Sequence, residues 1–196
     1  MQATDGLSMS RFDQLTSFLE QDPQNANLAA DAVEAAIAED RLDEAETLLA
    51  RSPVDALRAA YLNGLVAMRR QNWAGAAAQY QDMFDAGEKA PAVRFNLAWS
   101  LAMEKRSEQA LVVLDDVTAQ ARPQAAELEI RLRHELGEFD TAEARAHVLL
   151  VLHPDHRGLN AAGGPLAVAV EDNALAARCV HQPREHPEVP TSPGTL

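Results

Sequence analysis

The sequence holds a single cysteine, Cys179, so the chain cannot form an internal disulfide bond. It has no apolar run long enough to span a membrane and no basic stretch followed by an apolar core, as a secretory signal would have. We therefore expect a reducing, cytoplasmic location. Bases are also scarce, since 17 of them against 30 acids give a net charge of −13. Such a surface repels nucleic-acid phosphates and suits a basic partner better.

Glycine and proline are sparse outside short joints, whereas alanine is abundant. Because alanine has the best helix propensity and the other two residues the worst, this composition predicts an all-α chain. Lysine is also rare, since Lys89 and Lys105 are the only lysines among the 17 bases. Together with the alanine excess, this usage is typical of a GC-rich, bacterial genome.

The sequence lacks the short motifs of common catalytic sites. It contains no nucleophile elbow, phosphate-binding loop or HExxH helix. A late group of possible metal ligands comprises His147, His153, His156, Cys179, His181 and His186. Zinc needs four converging nitrogen or sulfur ligands, and these histidines fall in joints, where polar residues collect in any case. We therefore expect no enzyme, no cofactor and no metal site.

One phrase recurs along the chain: a turn, then an alanine, then a larger or apolar residue four positions later. The alanines are Ala45, Ala76, Ala110, Ala142 and Ala176, which lie 31, 34, 32 and 34 residues apart. Prolines follow the same period at Pro23, Pro53, Pro91, Pro123, Pro154 and Pro187. Since proline ends one helix and suits the first turn of the next, each period predicts a helix, a turn, a second helix and a joint.

These spacings resemble the tetratricopeptide repeat family, whose pattern has a small residue in helix one, then A-x3-F, then proline. The small residue is Gly64 in YLNGLVA and Ala98 in FNLAWSLA. The resemblance implies a right-handed α-solenoid of stacked antiparallel helix pairs over residues 11–181. It would comprise a lone helix at 11–22 and units at about 26–53, 57–90, 91–122, 123–156 and 157–188. Residues 1–10 are expected to be a flexible N-terminus and 182–196 a disordered, proline-rich tail.

Two of these segments depart from the simple pattern. The lone helix has Leu15, Phe18 and Leu19 at helical spacing, which predicts its apolar face. The fifth unit contains Gly163, Gly164 and Pro165 where its first helix should run. Proline inside a helix costs about 3 kcal/mol, so we expect this helix to be interrupted there.

The third unit has two apolar stripes on its first helix, PAVRFNLAWSLAMEK. Leu97, Ala98 and Leu101 form the stripe expected to face the partner helix. The second stripe contains Phe95, Trp99 and Met103, and a helix that is apolar on two sides is either buried or lines a groove. The resemblance places this second stripe on the concave face. The alternative is that it packs against a neighbouring repeat or the tail.

The first helix of the preceding unit carries a similar set. The predicted polypeptide-binding groove is therefore lined by Arg58, Tyr61, Leu65, Met68, Arg69, Phe95, Asn96, Trp99, Met103 and Arg131. In chaperone-tail-binding members of the family, an asparagine in this helix holds a peptide backbone or a terminal carboxylate. The basic residues around Asn96 match those members poorly in spacing, so an ordinary polar groove residue is the preferred interpretation.

Acidic residues mark both ends of this predicted groove: Asp31, Glu34, Glu127 and Glu135. They suit a partner with apolar anchors and basic flanks, or they serve only solubility. The leading hypothesis is a protein-binding scaffold or adaptor that binds neither nucleic acid nor membranes. The alternatives are a cytoplasmic chaperone for a secreted or assembling client, and a structural homo-oligomer whose groove is filled by its own tail.

Overall fold

The computed structural model describes residues 9–155, apart from the side chains of residues 116 and 117, and every regular element in this range is an α-helix. The helices are α1 (Arg11–Gln21), α2 (Ala26–Ala38), α3 (Leu42–Arg51), α4 (Ala56–Arg69), α5 (Trp73–Asp85), α6 (Pro91–Met103), α7 (Ser107–Val113), α8 (Asp116–Ala121), α9 (Pro123–Glu135) and α10 (Phe139–Leu152). None of them combines the length and apolarity that crossing a bilayer requires. The predicted fifth unit and the proline-rich tail lie outside the described residues.

Seven of the ten described helices begin at a side-chain cap or a proline, whereas α3, α7 and α10 begin with neither. Side-chain oxygens accept hydrogen bonds from backbone N–H groups in the first turns of five helices, at Ser10, Asn25, Asp55, Asn72 and Asp115. The helices α6 and α9 start instead with a proline. Both devices deal with N–H groups that have no partner inside the helix.

The turns inside the helix pairs repeat one backbone geometry. The residues Asp40, Gln71, Lys105 and Gly137 have φ of 61°, 58°, 64° and 76°. Their positions differ by 31, 34 and 32 residues, and each lies five residues before one of the recurring alanines. In each turn the next residue donates its N–H to the carbonyl five positions earlier, as Arg41 does to Ala36 at 2.8 Å. This bond is the signature of a Schellman helix end, so the sequence period is also a period of helix termination.

Three of these four left-handed positions carry a side chain, and an L-residue there costs about 1–2 kcal/mol. We expect Gln71→Gly to raise the free energy of unfolding by about 0.5–1 kcal/mol, because the relief of strain exceeds the added entropy of the unfolded chain. The reciprocal control is Gly137→Ala, where an added Cβ meets no atom within 4 Å. It should therefore lose stability through conformation alone. Urea unfolding of both variants tests this, and loss of stability in Gln71→Gly would contradict it.

The recurring alanines lie in the hydrophobic core. Ala45, Ala76, Ala110 and Ala142 are all fully buried. Helices that are neighbours in the chain pack in pairs, and further contacts join α2 to α4, α6 to α8 and α7 to α9. In α6, Leu97, Ala98 and Leu101 are buried as predicted. Contacts between elements two apart are what an array of stacked helical units requires.

Two details of the predicted helices were wrong. The second helix of the third unit is not continuous, because it ends at Val113 and α8 starts at Asp116. Leu114 is extended there, and Asp115 caps the new helix by accepting from Thr118 N at 2.8 Å.

The second detail is the apolar face of α1. Phe18, which was predicted to lie on that face, is 55% exposed, whereas Phe12 is buried under the guanidinium of Arg41. The break between α7 and α8 goes with the capping side chain of Asp115, and the burial of Phe12 goes with the Arg41 guanidinium over its ring. Neither contact can be read from helical spacing.

Helices α4 and α5 approach each other closely at Gly64, the small residue noted in the second unit. A Cβ at Gly64 would lie 2.5 Å from Cζ of Tyr80. The ring of Tyr80 is fully buried, and its hydroxyl donates to the carbonyl oxygen of Tyr61 at 3.2 Å. The ring therefore cannot move aside without losing this hydrogen bond, and only glycine fits beneath it.

Gly64→Ala should consequently reduce the free energy of unfolding by about 1–3 kcal/mol, the usual cost of overpacking a core, although alanine is the better helix former. In the Tyr80→Leu background the same change should cost less, because the ring that it meets is gone. A double-mutant cycle in urea isolates this coupling. Equal losses in the two backgrounds would show that Gly64 and Tyr80 do not meet.

Candidate functional site

The predicted binding residues lie on the first helices of successive pairs, and single side-chain contacts join one such helix to the next. Arg58 of α4 donates to Asp31 Oδ1 and Glu34 Oε1 of α2, both at 2.9 Å. Hydrogen bonding to these carboxylates, with Glu34 contributing most, raises the pKa of Arg58. This end of the predicted site is therefore an ion-paired junction between repeats, in which cation and acids satisfy one another.

The next junction, between α4 and α6, is neutral. Asn96 Nδ2 donates to the hydroxyl oxygen of Tyr61 at 3.3 Å, and the rings of Tyr61 and Tyr80 meet edge to face at 5.8 Å. Burial raises the pKa of the Tyr80 phenol, so this hydroxyl remains a donor. Asn96 is only 6% exposed. Its prediction as a groove-lining polar residue needs correction, because its amide links two helices inside the protein and is not open to a ligand.

The third junction, between α6 and α9, is built from aromatic rings and guanidinium groups. Phe95 and Trp99 are half-buried on α6, with ring centroids 5.9 Å apart. The guanidinium carbon of Arg122 lies 5.0 Å from the Phe95 ring centroid, and that of Arg131 lies 5.1 Å from the Trp99 ring centroid. We call these four residues the arginine–aromatic patch. Met103, one turn beyond Trp99, is 42% exposed and extends its apolar surface.

The two guanidinium groups of the patch differ from most others in the described part of the chain. Eight arginines form ion pairs with a carboxylate: Arg41, Arg58, Arg69, Arg70, Arg94, Arg106, Arg133 and Arg145. Within residues 9–155, four have no such pair, and two of these, Arg11 and Arg51, are exposed. Arg122 and Arg131 are the half-buried exceptions, each lying over an aromatic ring.

The remaining predicted residues on α4 pack against the core or form an ion pair within the chain. Leu65 and Met68 are half-buried and pack against the core clusters on either side of α4. Arg69 is exposed and binds Asp40 Oδ1 at 3.0 Å. Beside them, Arg58 and Tyr61 line a cleft of about 340 Å³ that reaches the start of α6. This cleft is separate from the arginine–aromatic patch, with which it shares no lining residue.

Most of the acidic residues at the ends of the predicted groove, and a base near Asn96, are engaged within the chain. Asp31 and Glu34 hold Arg58, and Glu135 accepts from Ser107 Oγ at 2.9 Å. Arg94, two positions before Asn96, donates to the Val113 carbonyl at 3.1 Å and pairs with Asp115 at 3.2 Å. At the Asp31 and Glu34 end, a basic partner would have to compete with Arg58 for these carboxylates.

No three histidine, cysteine or acidic side chains converge on a possible metal position within the described residues. His153 Nε2 lies 3.3 Å from the Ala119 carbonyl oxygen, and His147 is exposed. The other four candidates, His156, Cys179, His181 and His186, lie outside the part that the structure describes.

Sequence reasoning missed two important residues. Arg122 stands in a joint, directly before Pro123, where its side chain has no helical register to reveal its place over Phe95. Glu129 was not singled out from the sequence, yet it is 5% exposed and bound by both Arg133 and Arg145. The sequence did contain one signal of this ion pair: Arg133 follows Glu129 by four residues, the spacing at which a glutamate and an arginine meet on a helix.

Protein-family models and curated protein sequences give no match to this chain. The likeness to tetratricopeptide repeats therefore rests on the sequence period and remains a resemblance.

Proposed function

We propose that this protein is a non-enzymatic scaffold or adaptor that holds a polypeptide segment along its row of first helices. The observation that carries the proposal is the arginine–aromatic patch with its neighbour Met103. Aromatic residues, methionine and arginine are the types enriched in protein interfaces, and tryptophan and arginine are enriched among the residues that dominate binding energy. Here they lie together and partly exposed on adjacent helices.

The row of junctions supports the same proposal. Arg58 with Asp31 and Glu34, Asn96 with Tyr61, and the patch itself each join one first helix to the next. A surface that is fixed in this way loses little conformational entropy on binding, which favours affinity. A bound segment would therefore meet a preformed surface that spans several helices.

Site-specific photocrosslinking tests the proposal. A photoreactive amino acid replaces Met103, next to the patch, in the full-length protein in native lysate. The matched control replaces Val112, which is more exposed than Met103 but lies on α7, a second helix. We expect specific polypeptide adducts from position 103 and few from position 112.

The adducts also distinguish the alternatives. Foreign polypeptides bound at position 103 support a scaffold or a chaperone. Adducts made only with a second copy of this chain would replace the proposal with self-assembly. Equal labelling at both positions, or none at 103, would contradict binding at this face.

A further inference from the structure

We propose that the arginine–aromatic patch binds the carboxylate side chains of an acidic partner segment. This inference rests on the proposed scaffold function and specifies its partner. The sequence led us to expect a partner with basic flanks, and we now propose a partner of opposite charge. Asp31 and Glu34, two of the acids behind that expectation, are already paired with Arg58.

The chemistry of the patch leaves hydrogen-bond donors available. A guanidinium is planar and has five N–H donors in its plane, which suit a carboxylate in a bidentate arrangement. The contacts with the Phe95 and Trp99 rings are attractions between a cation and a π system, and they do not use up the N–H donors in hydrogen bonds to oxygen acceptors. Among the described residues, neither the Arg122 nor the Arg131 guanidinium forms a hydrogen bond or an ion pair with a side chain. Each ring thus presents an oriented cation to whatever binds there.

Partial burial makes the lack of a carboxylate significant. A charge that is drawn out of water is costly unless it is paired. In the described range, the other arginines without a carboxylate, Arg11 and Arg51, are exposed and remain hydrated. Arg122 and Arg131 are half-buried, and the cation–π contact compensates only part of their lost hydration. A carboxylate from a bound ligand would compensate for the remaining loss of hydration.

The net charge of −13 does not prevent such binding. At physiological ionic strength, exposed charges more than about 8 Å apart are largely screened. Local groups therefore determine which ligand the patch accepts. They are two guanidinium ions over apolar rings, together with Glu127 and Glu135, which lie four positions before and after Arg131 on α9; of these, Glu135 already accepts from Ser107 Oγ. The matching segment has acidic residues interspersed with apolar ones, so that both the cations and the rings are covered.

The fluorescence of Trp99 provides a direct measurement. The chain has two tryptophans, so Trp73→Phe makes Trp99 the sole reporter in the full-length protein. The probes are three acetylated, amidated peptides about a dozen residues long. They share leucines at the same positions and carry glutamate, glutamine or lysine at the others. We expect the glutamate peptide to bind about tenfold or more tightly than the glutamine peptide, as for charge-assisted hydrogen bonds, and the lysine peptide to bind least.

Charge-matched variants locate the effect. Arg122→Gln and Arg131→Gln should each weaken the glutamate peptide about tenfold, whereas Arg51→Gln, which changes the net charge equally, should not. Arg131→Lys keeps the charge and should bind the glutamate peptide more tightly than Arg131→Gln but less tightly than the unmodified protein. The far-UV circular dichroism of each variant checks that it is folded.

Other outcomes overturn the inference. Preference for the lysine peptide, or equal weakening by Arg51→Gln, would exclude a specific carboxylate site. If no peptide binds while position 103 still yields foreign adducts, the acidic partner is wrong and the scaffold stands. If both experiments fail, the proposed function fails with it.

Discussion

Glu129→Ala is expected to lower the free energy of unfolding by about 3–5 kcal/mol, the cost of breaking a buried ion pair from one side. The Glu129 carboxylate is almost fully buried between two cations. Arg145 of α10 binds both of its oxygens at 2.8 and 2.9 Å, and Arg133 binds one at 3.0 Å. Truncation removes the anion and leaves two guanidinium groups, each about one-fifth exposed, without that partner. Because they reach some water, the loss should fall near the lower end of this range.

The matched control is Glu46→Ala, which breaks an exposed pair with Arg70. Exposed pairs contribute about 0–1 kcal/mol, so urea unfolding should separate the two variants clearly. Stability in a stacked array is distributed among its units, so the Glu129 loss should also appear as faster hydrogen exchange in α9 and α10. Equal losses for the two variants would contradict the buried triad.

Much of the fold was predictable because its period has a local physical cause. A left-handed residue five positions before each of the four recurring alanines, all of them buried, ends the first helix of four successive pairs. Sequence shows the alanine and the turn together, and it shows the prolines that start α6 and α9. These features depend on residues only a few positions apart in the chain. Composition and spacing are therefore enough to predict them.

The candidate site was less predictable because its key contacts join different repeats. Phe95 and Trp99 were selected from α6 alone, but Arg122 comes from 27 positions beyond Phe95, in a joint. Asn96 occupies the same helix, yet a hydrogen bond to Tyr61, 35 positions away, turns it inward. Helical spacing assigns a residue to one side of its own helix, and only the packing of the next helix decides whether that side is open.

Trp99→Ala should weaken the binding of a partner segment by thirty-fold or more, which corresponds to about 2 kcal/mol. The indole ring contributes apolar area to the patch and also supports Arg131, 5.1 Å from its centroid. Truncation therefore removes a contact surface and releases the cation that the ring orients. Phe95, with its centroid 5.9 Å away, loses its aromatic neighbour in the same change. The proposal predicts a large effect on affinity from this single side chain.

The effect on stability should be smaller. Truncating a fully buried tryptophan costs about 3–5 kcal/mol, but Trp99 is half-buried, so we expect about 2 kcal/mol and unchanged helical content. Trp73→Ala is the matched control, because Trp73 is also half-buried but begins α5, a second helix. It should lose stability without losing affinity. A urea titration and a binding isotherm of both variants give the comparison. If Trp99→Ala is destabilised yet binds normally when folded, Trp99 serves packing between α6 and α9, and the patch is not the binding site.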